Sequence, residues 1–389
     1  MRAKYTVADV LNRHQEQLNG LVPNSWKSRT LHALRKCRTI ELGGHIDACD
    51  CCNDLHLSYN SCRNRHCPTC QGHKREQWIA KRSEELLNIP YYHVVFTMPD
   101  ELNTLCLQNP KLLYATLFKT AWETLKGFAE NPKNLGAKTG MIALLHTWGQ
   151  NLQLHPHLHC IVPAGGVLKN GDWKMSKNKG NFLFCVKEMS KVYCAKFVAN
   201  LRKEKAAIPQ KTYDILFEKK WVVYAKKAFV KPQYVIEYLG RYSHKIAISN
   251  HRILAINNQT NTVTFSLKNY KKKGKKETMT LTQTQFIKRF SLHILPKGFT
   301  RIRHYGILSG TWKKKHLQAL QEQLNGMKTG EKSTTINDAK SKHLQCPTCK
   351  QGTLTPIFVF SKARPPPAYL LKRIAAQKAT RKRKQKKIR

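Results

Sequence analysis

Three histidines alternate along HPHLHCIVPAGGVL, at His155, His157 and His159. If residues 157–168 begin as a strand, positions two apart point to one face, so His157 and His159 present their imidazoles side by side while Leu158 enters the core. Two neutral imidazoles on a rigid strand make part of a divalent-ion site. The open positions of such an ion accept a phosphate oxygen and water, and the ion then polarises the phosphodiester as a Lewis acid. A His-x-His pair is also what two surface histidines on any strand look like, so the metal reading needs support from elsewhere in the chain. A third ligand is expected from His155, Gln150 or His146. Pro156 interrupts the strand that would bring His155 onto the shared face.

That support comes from Tyr238 and Tyr242 in PQYVIEYLGRYSHK, spaced so that a helix places them on one face a turn apart, with Tyr234 a turn earlier. An aromatic stripe at this spacing often packs in a core. This segment, however, is polar and basic, with Arg241 and Lys245, and fits a surface that faces nucleic acid. A phenol oxygen can attack a phosphodiester and hold it as a phosphotyrosine ester, so the strand is rejoined without ATP. Two tyrosines handle two strands in succession.

The third chemistry is thiolate. Cys49-x2-Cys52 and Cys67-Pro-Thr-Cys70 are separated by 14 residues, the spacing of a zinc ribbon in which each knuckle turns two thiolates toward one tetrahedral ion. Cys51, Cys62, His66 and His73 crowd the same stretch and are candidates to replace one of the four or to serve a second ion. Arg63 and Arg65 make the module basic, which points to contact with DNA. Cys346-Pro-Thr-Cys349 repeats the knuckle with one visible pair, and needs His343 or cysteines from elsewhere to complete a site.

Certain elements must position these groups. YYHVVFTMP (91–99) reads as a buried strand, 111–130 as a helix, and 140–148 and 157–168 as two strands joined closely enough to be antiparallel. Helical spacing returns at 187–206 and, after Pro232, at 232–242, followed by a strand at 244–249. Residues 253–269 alternate around an Asn-rich turn as a hairpin does. Two amphipathic helices occupy the first 40 residues. Residues 326–345 read as a linker, and the Lys/Arg tail from Lys372 to Arg389 as too charged to pack before it meets DNA.

Composition restricts the partner. Lys and Arg number 69 against 23 Asp and Glu, a formal charge of +46 that repels itself in a compact fold and is most simply explained by a polyanion. An RNA-binding protein of ribosomal type would share this charge. No apolar run is long enough for a membrane span, and the N-terminus lacks a signal-peptide core, so the expected compartment is a reducing cytoplasm, on the nucleoid. There, clustered cysteines read as metal ligands rather than disulfides.

Taken together, and in their order along the chain, SYNSCRNRHCPTCQG, HPHLHCIVPAGG and YLGRYSHKIAIS resemble the motifs of rolling-circle insertion-sequence transposases of the two-tyrosine HUH class, relatives of the ISCR elements. The resemblance runs from about residue 30 to about 305. It implies an α+β chain: an N-terminal zinc ribbon (1–85), a ferredoxin-like HUH nuclease with an antiparallel sheet (90–305), and a basic C-terminal extension (306–389). It implies Tyr238 and Tyr242 as nucleophiles, and His157 and His159, with His155 or another third ligand, on a catalytic Mg²⁺ or Mn²⁺. The expected substrates are single-stranded DNA, element ends and target DNA, with Arg63, Arg65, Arg241 and Lys245 on the phosphates. A plasmid or phage replication initiator would use the same chemistry, and a non-catalytic zinc-ribbon protein would share the Cys pairs.

Overall fold

The computed structural model describes residues 3–176, 183–204, 208–229, 234, 240, 246–269, 272, 274–326 and 345–387. They divide into two compact units, Met1–Gln71 with Glu331–Arg389, and Gly72–Gly330. Of the C-terminal region expected at 306–389, residues 331–389 group with the N-terminus and residues 306–330 with the second unit. Among the described residues no helix is long and apolar enough to cross a membrane.

In the first unit, helix Val7–Arg13 begins with a capping box. The Thr6 hydroxyl accepts from the Asp9 amide at 3.2 Å, and the Asp9 carboxylate accepts from the Thr6 amide at 2.8 Å. The Asn24 side chain caps helix Ser25–Arg35 in the same way, accepting from Trp26 and Lys27. Val7, Val10 and Leu11, spaced three and four apart, bury one stripe of the first helix, while Leu31 and Leu34 bury a stripe of the second. A three-stranded antiparallel sheet follows, in which β1 (Gly44–Cys49) lies between β2 (Leu55–Tyr59) and β13 (Leu354–Phe360).

The basic tail is not a disordered extension. It forms helix Ala368–Lys387, with Leu370 and Ile374 buried against Ile46, Leu55 and Phe360 of the sheet. Gln377 accepts a hydrogen bond from the Leu55 amide at 2.9 Å, and Arg381 pairs with Asp54 at 2.6 Å. Charge density pointed to disorder, but Ala, Gln, Lys and Arg are strong helix formers, and one apolar stripe is enough to dock the helix.

The second unit is organised around a five-stranded antiparallel sheet. Its strands are β3 (Tyr91–Thr97), β4 (Gly140–Trp148), β5 (Leu154–Pro163), β8 (Val223–Phe229) and β12 (Ile302–Gly306), in the order β12-β4-β5-β3-β8. Helix Pro110–Glu130 connects β3 to β4, and helix Val186–Lys203 lies between β5 and β8. Alternation sorts the two faces. Val94, Phe96, Leu145, Leu158, Cys160 and Val162 pack under those helices with Leu117, Phe118 and Phe197. On the opposite face, Tyr91, Ile142 and Ile161 pack with Leu320 and Leu324 of helix Gly310–Gly326 at one end of the sheet. The same face carries the histidines at the other end. Between β5 and β8, β6 (Gly165–Val167) pairs with β7 (Trp173–Met175) as a short hairpin.

Beyond β8, β9 (Ile253–Asn257), β10 (Thr262–Asn269) and β11 (Lys275–Thr282) form the meander whose first hairpin the sequence suggests. Helix Gln283–Leu292 packs Phe286 on Phe265 of this meander. The strand expected at 244–249 is absent over its described part. Ile246, Ala247 and Ile248 are buried but lie in irregular chain, a reminder that a three-residue apolar run signals burial and not conformation.

Candidate active site and metal centres

Register sets the histidine site. His146 on β4 lies directly opposite His157 on β5, and directly opposed residues share a face. His159 is two positions along the same strand. The side chains of His146, His157 and His159 converge, with one ligand atom from each lying within 4.8 Å of the others. The rings pack edge to face, with centroids 5.4 Å apart for His146–His157, 4.5 Å for His146–His159 and 4.9 Å for His157–His159.

The third member is therefore His146, one of the three candidates the sequence offered. His155 is not part of the cluster. It precedes the buried Pro156, is exposed, and lines a neighbouring cavity of about 740 Å³ with Asp100, Asn103, Gln153 and Lys219. Alternation alone placed His155 with its neighbours. What decides for His146 is strand pairing, which spacing within one segment does not carry.

Hydrogen bonds orient the imidazoles. His157 Nδ1 donates to the His155 carbonyl at 2.7 Å, so the lone pair lies on Nε2. His159 Nδ1 is 2.8 Å from Nε2 of His93, a β3 residue that is only 3% exposed. This leaves His159 Nε2 free of that contact. His93 had no signal in the sequence beyond its place in a buried apolar strand, yet it occupies the position from which a hydrogen-bond partner can fix the orientation and tautomer of a ligating imidazole. Trp148 stacks on His146 at 4.4 Å, and the Arg301 guanidinium lies over the same indole, 5.2 Å from its centroid. At 9% exposure, Trp148 supports His146 from inside the fold.

Tyr238, Tyr242, Arg241 and Lys245 fall outside the described residues, as does His343; Tyr234 is described, helical and exposed.

The cysteines form two groups of four, Cys37–Cys62–Cys67–Cys70 and Cys49–Cys52–Cys346–Cys349. The single ribbon expected from Cys49, Cys52, Cys67 and Cys70 is thus divided between two sites. The reason is the sheet: β1 and β2 separate the two knuckles, and each knuckle finds its second pair elsewhere. Cys37, at the end of helix Ser25–Arg35, stands alone in the sequence and gave no sign of its role.

Both groups have the dimensions of a metal site. A tetrahedron with metal–sulfur bonds of about 2.3 Å has edges of about 3.8 Å. In the first group Cys37–Cys70 is 3.4 Å, Cys62–Cys70 3.7 Å and Cys37–Cys67 3.5 Å. In the second, Cys49–Cys349 is 3.7 Å and Cys52–Cys346 3.8 Å. Hydrogen bonds within the first group hold the Cys70 thiol below its ordinary range and push the Cys62 and Cys67 thiols above it, so without an ion the four share protons. Backbone amides of Gly352 and Gln351 lower Cys349 to about 6. Thiolates at such spacing repel unless a cation joins them, which is the donor set of structural zinc. Arg63 is exposed on the loop of the first group, whereas Arg65 is half-buried, its Nε donating to His66 Nε2 at 3.4 Å.

Comparison with known proteins follows this division of the chain. A family described as "Transposase zinc-binding domain" matches residues 9–98, and one described as "Putative transposase" matches residues 140–316. A protein of Sinorhizobium fredii, "Putative transposase y4qJ", is 37% identical over 390 residues, covering 93% of this chain and 97% of the relative. The chain belongs to the IS91 family of transposases. The transposase is also 29% identical over 299 residues to the "Transposase for insertion sequence element IS801" of Pseudomonas savastanoi pv. phaseolicola, covering 72% of this chain and 70% of that one. No solved structure matches it. The zinc-binding match spans the first cysteine group and half of the second. The other match begins at β4 and contains the whole histidine cluster of the transposase.

Proposed function

We propose that this transposase is a two-tyrosine HUH enzyme that cleaves and rejoins single-stranded DNA at element ends by a rolling-circle route. The observation that carries the reading is the convergence of His146, His157 and His159 at one end of the sheet, backed by His93. The connectivity strand–helix–strand–strand–helix–strand, with spatial order β4-β5-β3-β8, is the order expected of a ferredoxin-like split βαβ unit and supports the same reading. So does a charge of +46 on a chain whose family acts on DNA.

In this mechanism His146, His157 and His159 would hold Mg²⁺ or Mn²⁺. When bound, the ion would supply charge neutralisation at the scissile phosphate. The phenol oxygen of Tyr238 or Tyr242 attacks phosphorus, the bond to the 3′ oxygen breaks, and the phenol proton is lost as the 3′ oxygen gains one. The 5′ phosphate stays esterified to the tyrosine, and the second tyrosine serves the other cleavage. A tyrosine titrates near 10, and a cation held by the histidines would favour its phenolate. Arg63, Arg65, Arg241 and Lys245 hold flanking phosphates.

The test is a labelled single-stranded oligonucleotide carrying an element end, incubated with Mn²⁺ and run on a denaturing gel. A covalent protein–DNA band is expected for the wild type and none for Tyr238→Phe with Tyr242→Phe, which removes only the two hydroxyl oxygens. An adduct that survives in the double variant places the nucleophile elsewhere.

A further inference from the structure

Cys346 and Cys349 lie beyond both regions matched by the transposase families. We infer that they complete a second structural zinc site with Cys49 and Cys52, one that staples the two ends of the chain into a single module. The four sulfurs come from two knuckles 300 positions apart in sequence for the Cys49–Cys349 pair, at the tetrahedral spacing given above. The surroundings are built for a closed site. A Cβ at Gly352 would come within 2.5 Å of the Cys49 sulfur and 2.6 Å of an Asp50 oxygen, so only glycine lets the backbone pass so near. The Gly352 amide donates to Cys349 Sγ at 3.3 Å, and the Thr348 amide to Cys346 Sγ at 3.4 Å, the amide-to-thiolate bonds that commonly stabilise a knuckle. His56 Nε2 stands 3.6 Å from Cys346 Sγ and is placed as an outer-shell donor. Around the site, the Thr353 amide donates to Asp50, and β13 pairs with β1 along its whole length.

Zinc content of the purified full-length protein tests this directly. Two zinc ions per chain are expected for the wild type, and one for Cys346→Ser with Cys349→Ser. One ion in the wild type, or two in the double variant, overturns the inference. Should the variant fail to fold, native thiol alkylation of the wild type gives the answer without substitution. Cys346 and Cys349 are expected to be protected until chelator is added, while the exposed Cys51 is modified in both conditions. Equal labelling of Cys346 and Cys349 with and without chelator refutes the site.

A different observation carries a second inference. At the edge strand β12, a cavity of about 510 Å³ opens between helices Pro110–Glu130 and Gly310–Gly326. It is lined by Trp122 and Trp312 and by Lys126, Lys138 and Lys315, against one carboxylate, Glu130, which pairs with Lys126 at 3.9 Å. Trp122 is held flat against Tyr305, 5.3 Å between centroids. Gly140, beside this cavity, is six residues from His146 on the same strand, which is roughly 20 Å. Half-buried indoles with lysines at the rim fit stacked bases and their phosphates. We infer that this is a subsite for single-stranded DNA remote from the cleavage centre, an inference that rests on the transposase reading above.

Lys126→Ala with Lys315→Ala is expected to lower the slope of log affinity against log salt by about 1.4 for a labelled single-stranded oligonucleotide. Trp312→Leu is expected to shrink the preference for a base-bearing over an abasic oligonucleotide of equal length. Unchanged slope and unchanged preference overturn the subsite. Absence of a covalent adduct in the wild type would instead overturn the cleavage mechanism, and leaves these two measurements to decide the subsite by themselves.

Discussion

Replacing His93 with Phe keeps the ring volume beside His159 and removes both ring nitrogens. With an ion on His159 Nε2, the proton must lie on Nδ1, and His93 Nε2 at 2.8 Å is its acceptor. His93 and His159 are 3% and 8% exposed, so water is poorly placed to take over. A buried donor left without a partner costs about 1–3 kcal/mol, a factor of roughly 5 to 150 in an equilibrium constant at 1.36 kcal/mol per decade. That range overlaps the roughly 10–100-fold loss usual when an outer-shell partner of a metal-bound histidine is removed. Calorimetric titration of the zinc-loaded protein with Mn²⁺ should therefore show dissociation at least about fivefold weaker for His93→Phe. His93→Gln, whose amide oxygen can accept the same proton, should recover part of the loss. Manganese affinity within twofold of wild type in His93→Phe would refute the claim that His93 holds His159 in its liganding tautomer.

Further outcomes follow from other parts of the fold. Cys67→Ser should cost the protein one zinc and expose the segment around Cys37 and Cys62 to protease; unchanged zinc content counts against the first cysteine group. Deleting residues 382–389 removes six cations, Lys382, Arg383, Lys384, Lys386, Lys387 and Arg389, while keeping the docked turns at Leu370 and Ile374. The salt slope for single-stranded DNA should then fall by up to about 4, and no change means this segment does not reach phosphates. His304 on β12 is lowered to about 4 by burial and by the charges of Lys313 and Arg82. Because an unfolded imidazole titrates near 6.5, its contribution is present above that pH and is lost as pH falls from about 6.5 toward 4. The whole effect is at most about 3 kcal/mol. Melting temperatures measured across that window should fall less steeply for His304→Gln than for wild type.

The sequence was informative where one segment carries its own periodicity. YYHVVFTMP, GMIALLHTW and HLHCIVP gave three central strands because β-branched and aromatic residues alternate or run together there, and the long helix after Asn109 showed its stripe of buried leucines and aromatics. His157 and His159 were visible for the same reason, since a two-residue period defines a shared face. What could not be seen was pairing between segments. His146 meets His157 only through register, His93 reaches His159 across a neighbouring strand, and Cys37 joins Cys62, Cys67 and Cys70 across the loop that holds β1 and β2. The tail misled because its charge masked a short apolar stripe.

The position of β1 between β2 and β13 has a consequence for synthesis. Domains ordinarily fold in the order in which they leave the ribosome. Here the first unit to be translated is the last that can be finished, because its sheet lacks an edge until Phe360 has emerged. The second unit, continuous in sequence, has every strand it needs by Gly306. A nascent transposase, or one truncated before β13, thus carries a complete histidine sheet and an unfinished zinc module, and a stop between Gly306 and Phe360 acts as a lesion of the N-terminal sheet.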